Sequence, residues 1–180
     1  MQALGVVLLK SVGAGYLALN TAGQLKDLEV LEFSPLGQAS QILVLGTEAK
    51  VKAFIVEMRT GDIDRSICLP EFDEKILRAY LSLDNAEVKS FVLVVEGHFV
   101  GDLFAVATNL RQAGLQIVDF RVFRSSGSPG FLVLTGEEAQ LKKADLWIQE
   151  QQHLPVGQQL KTTLLSSLSE GFRQFSTVGG

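Results

Sequence analysis

The chain repeats one order of sequence features, and this repetition constrains its fold more than any single motif does. From Leu4 to Met58 an apolar strand, a helical stretch, a second strand, a loop rich in Gly, Pro and Ser, a third strand and a second helical stretch follow one another. The same order returns from Phe91 to Glu150. A repeat of about ninety residues is long enough for a domain with its own core, so the pattern predicts a tandem duplication rather than a solenoid.

The matching segments keep their order along the chain while their offset drifts by a few residues. The matches are Val12-Gly13 with Val100-Gly101, Leu28-Glu29-Val30 with Leu115-Gln116-Ile117, and Gly46-Thr47-Glu48-Ala49 with Gly136-Glu137-Glu138-Ala139. Small insertions and deletions in loops account for such drift.

Composition narrows the class of protein. The 180 residues are 47% hydrophobic, which is enough for two cores, and no segment approaches the roughly 20 apolar residues of a membrane span. Lys10, Gly13 and Gly15 interrupt the apolar start, so no signal peptide is expected. One cysteine, Cys68, excludes an internal disulfide, and the net charge of -4 argues against nucleic acid as a partner. We expect a cytoplasmic protein that binds neither membrane nor nucleic acid.

Hydrophobic periodicity predicts two helices over one sheet in each half. The predicted elements are central strands at Leu4–Leu9 and Phe91–Val95, first helices at about Val12–Lys26 and Val100–Ala113, and second helices that begin after Thr47 and Gly136. The strands are too few and the loops too short for a nucleotide-binding doubly wound sheet. The predicted fold class is therefore α+β, with two tandem ferredoxin-like domains whose antiparallel sheets carry their helices on one face.

The predicted domains are residues 1–84 and 90–180, with residues 85–89 as the linker. Between the halves, Ser66–Leu69 is predicted to be a closing strand, and Glu71–Leu83 is predicted to be a short helix. The tail of the second domain carries apolar residues at helical spacing, which predicts an amphipathic helix that docks on the protein's own trimer or on a partner. These residues are Leu160, Leu164, Leu165, Leu168 and Phe172.

Little in the sequence points to catalysis, to a metal or to a cofactor. No phosphate loop, nucleophile elbow or His-Glu-x-x-His helix is present, and His98 and His153 are the only histidines. Cys68 is interpreted as a small core residue and the pair Glu137-Glu138 as a favourable helix start. An enzyme that uses His98 or Glu96 with Asp102 is the least favoured alternative.

The sequence also resembles the bacterial microcompartment (BMC) shell domain, in both halves. The resemblance rests on Gln2-Ala3-Leu4-Gly5-Val6-Val7, Ser11-Val12-Gly13-Ala14-Gly15 and Ile42-Leu43-Val44-Leu45-Gly46, and on Phe91-Val92-Leu93-Val94-Val95-Glu96 and Phe131-Leu132-Val133-Leu134-Thr135-Gly136. It covers about residues 2–150, including the interdomain piece after Cys68-Leu69-Pro70. The chain looks like a divergent member of the tandem-domain shell proteins.

This resemblance implies a scaffold rather than an enzyme. Tandem shell proteins form homotrimers that imitate a hexamer, a tile with a central pore lined by the loop between the second and third strands of each half. By position, the implied pore-lining residues are Ser34, Pro35, Leu36, Gly37 and Gln38, and Ser125, Ser126, Gly127, Ser128, Pro129 and Gly130, with Arg124 as the nearest charge. Some members hold an iron-sulfur cluster on a pore-loop cysteine, but Cys68 lies outside both loops, so no cluster is expected. The implied partners are the chain itself and other shell proteins.

The chain departs from the family at the edge of the tile. The family's first helix carries an acidic residue and then an edge lysine, whereas here Asn20 stands near the acidic position and Lys26 fits only with an insertion. The second half has Thr108 and Arg111-Gln112 in that region. The alternative function is a small-molecule-sensing regulatory tandem ferredoxin-like protein, which would need a closed pocket with convergent polar groups.

Overall fold

The computed structural model describes residues 2–58, 61–83, 86–122, 130–151, 160–166 and 168–169. Its first six elements are β1 (Ala3–Leu9), α1 (Val12–Gln24), β2 (Leu28–Leu36), β3 (Ala39–Gly46), α2 (Glu48–Glu57) and β4 (Ile63–Leu69). The remaining elements are α3 (Glu74–Tyr80), β5 (Val92–Gly97), α4 (Val100–Gln112), β6 (Gln116–Arg121), β7 (Gly130–Thr135), α5 (Glu138–Glu150) and β8 (Lys161–Leu165).

The strands form two sheets of identical topology. Their orders are β2-β3-β1-β4 and β6-β7-β5-β8, and every neighbouring pair is antiparallel. Both β2 and β6 shift register once against their neighbours, between Val30 and Glu32 and between Ile117 and Asp119. Two like sheets with helices confirm the predicted α+β class and the duplication. No helix in the described ranges is long and apolar enough to span a membrane.

The chain separates into two compact units. Unit 1 takes the described residues up to Phe72, and unit 2 begins at Asp73. This boundary falls earlier than the predicted linker at residues 85–89, because α3 packs against β6 and α4. The backbone N–H groups of Ala86 and Lys89 also bond within unit 2, to the Ile117 carbonyl (2.9 Å) and to Thr135 Oγ1 (3.0 Å).

The core of unit 1 lies between its sheet and helices α1 and α2. The buried members are Ala3, Val7, Leu9, Ala14, Ala18, Ala22, Ile42, Val44, Val51, Phe54 and Met58. Helix α1 presents small residues to the sheet, so its backbone lies close to the strands. A Cβ at Gly15 would collide with Ser40 Oγ and with the Phe33 ring, and only glycine fits there. Helix α2 starts at the predicted cap, where Thr47 Oγ1 accepts from Lys50 N at 3.4 Å.

The core of unit 2 uses larger side chains at the equivalent places. Leu103, Phe104 and Ala107 of α4 and Leu141 of α5 are completely buried. Helix α3 adds a further layer beside α4, where Ile76 is fully buried. The Asp73 carboxylate caps α3 by accepting from Lys75 N at 2.9 Å.

The C-terminal tail differs from the prediction. The expected helix over Leu160 to Leu165 is wrong, because these residues include strand β8, antiparallel to β5 with Leu165 opposite Val92. Without β8, one edge of the central strand β5 would have unpaired backbone N–H and C=O groups, and that requirement overrides a helical spacing of four leucines. Phe172, the last residue of the predicted helix, lies outside the described residues.

Candidate functional site

The first predicted pore loop is the tip of a long hairpin between β2 and β3. Ser34, Pro35 and Leu36 belong to β2, and only Gly37 and Gln38 form the turn. Gly37 has a φ of 70°, and Gln38 is not among the residues with positive φ. This pattern is typical of a two-residue type II′ turn, whose twist suits a hairpin. Pro35 is tolerated because β2 is an edge strand.

The hairpin is fixed to the start of α1. Ser40 is fully buried, and its Oγ donates to the Ser11 carbonyl at 2.8 Å. Ser11 in turn caps α1, since its Oγ accepts from Ala14 N at 3.0 Å. The tip therefore projects from a rigid base, which is how a sheet scaffold positions a functional turn.

The hairpin residues differ in their exposure. Pro35, Gly37 and Gln38 are exposed, whereas Ser34 is 2% exposed and its hydroxyl donates to the Glu32 carboxylate. Gln41, opposite Ser34 in the ladder, is also 2% exposed. Its Nε2 has no hydrogen-bond partner in the described part of the chain. Among residues 34–38, the accessible polar groups are thus those of the turn.

The second predicted pore loop can be followed only at its end. Ser125, Ser126, Gly127, Ser128 and Pro129 lie outside the described residues, and so does Arg124. Gly130 is the first residue of β7, where it is buried and pairs with Gly97. A Cβ at Gly130 would lie 3.0 Å from the Arg121 carbonyl oxygen. Gly130 is therefore a tightly packed strand residue.

Of the two pairings in the alternative enzyme site, Glu96 with Asp102 is not brought together by the fold. A Cβ at Gly97 would point toward α4, 3.4 Å from Leu103 Cδ2, so strand alternation puts Glu96 on the other face of the sheet. Asp102 lies in the first turn of α4, and His98 is exposed just before that helix. Glu96 and Asp102 are thus on opposite sides of the sheet. His153 lies outside the described residues.

Metal-binding geometry is equally lacking in the residues that the structure describes. Within those ranges, no three His, Cys, Asp or Glu side chains form a group that could hold an ion. Cys68 lies on β4 against the core of unit 1, as predicted. Burial raises the pKa of the Cys68 thiol, the Glu48 carboxylate raises it further, and the Lys52 ammonium opposes them. Such a thiol is a poor nucleophile at neutral pH.

The paired carboxylates at the start of α5 have structural roles, as predicted. Glu137 and Gln140 form a capping box, in which the Glu137 side chain accepts from the Gln140 backbone and Gln140 Oε1 accepts from Glu137 N at 3.3 Å. Glu138 in the first turn pairs with Lys142 at 2.7 Å. Both arrangements stabilise the helix start.

A groove in unit 2, between α4 and α5, has a volume of about 520 Å³. Its lining is Asn109, Leu110, Ala113, Leu115, Gln140, Lys143, Ala144 and Trp147. The polar members are exposed, and Asn109 and Gln140 already bond to their own helices, at Ala105 O and Glu137 N. The groove therefore lacks the convergent polar groups that a small-molecule sensor requires.

The two units have different residues at the acidic and lysine positions that the family uses at the edge of the tile. In unit 1, Asn20 and Lys26 are exposed, and Lys26 follows the end of α1. In unit 2, Thr108 Oγ1 donates to the Phe104 carbonyl at 2.8 Å. Arg111 Nε bonds Asp73 Oδ2 at 2.9 Å, so this cation is engaged within its own unit.

Comparison with solved structures supports the resemblance at the level of the fold. A crystal structure of a microcompartments protein from Desulfitobacterium hafniense DCB is similar over 97% of this chain and 99% of its own, with a TM-score of 0.79 and 18% identity. The acetolactate synthase small subunit from Thermotoga maritima (10% identity, 94% of this chain and 99% of its own) has a TM-score of only 0.30. A bacterial light-regulated adenylyl cyclase (10% identity, 91% and 72%) has a TM-score of 0.32. No family model and no curated protein matches the sequence.

Taken with the duplicated sheets, the first likeness shows that the chain has the fold of a tandem-domain microcompartment protein, at a divergent sequence. One feature of this fold was not predicted from the sequence, an aromatic pair on unit 1 in which the exposed Tyr16 of α1 packs on the half-buried Phe33 of β2. The signal was present in the repeat, since Val12 matches Val100 and Tyr16 therefore matches Phe104.

Proposed function

We propose that this chain is a structural, non-enzymatic shell component of a bacterial microcompartment or a related assembly. The observation that carries this proposal is the likeness to a microcompartment protein over 97% of the chain, which extends across both units. The partial burial of Cys68 and the separation of Glu96 from Asp102 support a scaffold more than a catalyst.

The assembly that we propose is a homotrimer with pseudo-sixfold symmetry. Each chain supplies two units of the same topology, so three chains placed around one axis give six similar positions in a closed ring. Exposed large apolar side chains on α1, including Tyr16 and Leu17, supply surface for such contacts.

At the axis, we place the hairpin turn of unit 1 and residues 125–130 of unit 2. Pro35, Gly37 and Gln38 are the exposed residues of the first hairpin, so its contribution to the pore is backbone and one amide. The second loop adds serine hydroxyls, with Arg124 as the nearest cation. Three arginines beside a narrow axis raise the local positive potential, so this pore favours small polar or anionic solutes. Other shell proteins are the expected neighbours of the tile.

Native mass spectrometry tests the assembly at micromolar concentrations. We expect a mass of three chains, and a population of monomers and dimers only would contradict the proposal.

Crosslinking of Ser126→Cys tests the pore separately, in a Cys68→Ser background. Residues 126 of different copies should react with a short bis-maleimide, because they approach one axis. Val56→Cys on the exposed side of α2 is the matched control and should not react between copies of one trimer. A trimer without crosslinks at residue 126 would remove the pore assignment and leave the assembly in place.

A further inference from the structure

Each unit contains an aromatic pair at equivalent positions, Tyr16 with Phe33 and Phe104 with Phe120. In unit 1, the rings of Tyr16 and Phe33 have centroids 5.1 Å apart at 58°. In unit 2, the rings of Phe104 and Phe120 are 4.8 Å apart at the same angle of 58°. Phe33 lies opposite Ile42 and Phe120 opposite Leu132, and these two partners stand at matching positions of β3 and β7. The pairs are therefore duplicates of one another.

Only the pair in unit 2 is completely covered, whereas in unit 1 Phe33 is half-buried and Tyr16 is exposed. Tyr80 of α3 has its ring centroid 5.1 Å from that of Phe104 and 5.2 Å from that of Phe120, and both phenylalanines are 0% exposed. In unit 1, Tyr16 is 59% exposed and the adjacent Leu17 is 58% exposed. An apolar surface that is buried in one duplicate and open in the other indicates a missing covering segment in unit 1.

The register of the sheets identifies a segment of this chain that matches α3. Leu69 of β4 lies opposite Leu4, and Leu165 of β8 lies opposite Val92, at equivalent points of the central strands. Residues that follow β8 thus correspond to residues that follow β4, and Glu74–Tyr80 corresponds to residues 170–176.

The sequence after β8 repeats the apolar pattern around α3. Phe72, Ile76 and Ala79 are the buried residues of that segment, and their counterparts are Leu168, Phe172 and Phe175. Both triplets have the spacing i, i+4, i+7: Phe72 lies just before α3, and Ile76 and Ala79 lie on one side of that helix. The cap Asp73 corresponds to Ser169, another favoured N-cap residue, and Glu74 corresponds to Glu170. Residues 170–180 lie outside the described residues, and the match concerns their sequence.

We propose that residues 168–176 of one copy cover the Tyr16–Phe33 pair of a second copy, as α3 covers Phe104 and Phe120. Helix α3 follows the last strand of unit 1 but packs in unit 2, which is the next unit along the chain. By the same rule, the segment that follows the last strand of unit 2 packs in the unit that comes next, which is unit 1 of another copy. This inference rests on the proposed assembly of several copies and specifies one contact that would hold it together.

Co-expression of two single-cysteine chains tests the contact, both in a Cys68→Ser background. One chain carries Leu17→Cys and an affinity tag, and the other carries Ser176→Cys, the counterpart of Tyr80. We expect a short bis-maleimide to join the tagged chain to the untagged one. A tagged Val56→Cys chain replaces Leu17→Cys as the matched control, because Val56 lies on α2 and is 81% exposed; it should give no joined product.

Two substitutions in the tail test the predicted side of the helix. Phe172→Asp should raise the concentration for half-assembly at least tenfold, because Phe172 corresponds to the buried Ile76. Gln174→Asp is the matched control and should leave that concentration unchanged, because Gln174 corresponds to the exposed Arg78.

The outcomes separate this inference from the proposed function. Joined chains with a sensitive Phe172 support it. A chain carrying both cysteines that crosslinks only within itself, or the absence of any crosslink, overturns the docking on a second copy. The native mass of the unmodified protein tests the trimer separately. A trimer that lacks this crosslink supports the shell proposal but contradicts the tail contact. A crosslinked dimer supports the tail contact but contradicts the trimer.

Discussion

Helices α1 and α4 occupy the same position in the two units, yet they bury different amounts of their surface. Helix α1 buries Ala14, Gly15, Ala18 and Ala22, whereas α4 buries Val100, Gly101, Leu103, Phe104, Val106, Ala107 and Leu110. The side of α1 that faces its sheet is packed, so the difference lies on its outer side. Helix α3 supplies part of the outer cover of α4 through Tyr80. Duplication therefore preserved the fold of each unit while leaving the outer side of α1 uncovered.

The largest expected difference between α1 and α4 is the loss of stability when an aromatic ring is removed from each helix. Phe104→Ala should lower the free energy of unfolding by about 3–5 kcal/mol, because it leaves a cavity among Tyr80, Phe120 and α4. Tyr16→Ala, the same change in α1, should cost less than about 1 kcal/mol, because the side chain is mostly in water. Urea denaturation at low protein concentration measures both. Equal losses would mean that Tyr16 is covered within the single chain.

A second comparison uses the glycines of α1. Gly15 corresponds to Leu103 of α4, and Gly15→Ala should destabilise unit 1 by about 1–3 kcal/mol, since the new Cβ meets Ser40 and Phe33. Gly13→Ala in the same helix is the matched control. The nearest neighbour of a Cβ there is Ser11 Oγ at 3.9 Å, so this change should stabilise the helix by about 0.5–1 kcal/mol. Thermal unfolding of both variants should shift in opposite directions, and a stabilised Gly15→Ala variant would contradict the close packing of α1.

The duplication and the fold class could be predicted because their signals are local and occur twice. Gly46 and Gly136 mark the same strand end, and the apolar runs before them mark the same central strands. Strand β8 could not be predicted in this way, because the spacing of Leu160, Leu164 and Leu165 also fits a helix. The deciding factor is the open edge of β5, which is a property of the assembled sheet.

The candidate site, too, could be predicted from the sequence only in part. Pro35 and Gly37 locate the hairpin in the sequence, since both residue types favour turns and edges. The burial of Ser34 depends on a bond to Glu32 and on the register with Gln41, neither of which a residue pattern reveals. The exposure of Tyr16 is meaningful only beside its buried counterpart Phe104, so it required the structure of both units.

The smallest expected effect concerns the strands that close the two sheets. Cys68 of β4 lies opposite Gly5, and Leu164 of β8 lies opposite Leu93, so a thiol stands in unit 1 where unit 2 has a leucine. The pKa of this thiol is raised, first by burial and then by Glu48, while Lys52 lowers it. A raised pKa reduces the thiolate fraction at any pH below it. Alkylation of Cys68 should therefore be slower in the folded protein than in the unfolded chain.

Iodoacetamide labelling between pH 7 and pH 10 measures this effect. The folded protein should show a pH–rate midpoint above the ordinary value of a thiol, and the unfolded chain should return to that value. Glu48→Gln should move the midpoint down, because it removes a negative charge that opposes ionisation, and Lys52→Gln should move it up by removing a favourable positive charge. A midpoint below the ordinary value in the folded protein would mean that Cys68 is an activated thiol. In that case unit 1 would hold a reactive group where unit 2 has only Leu164, and the two units would differ in chemistry as well as in packing.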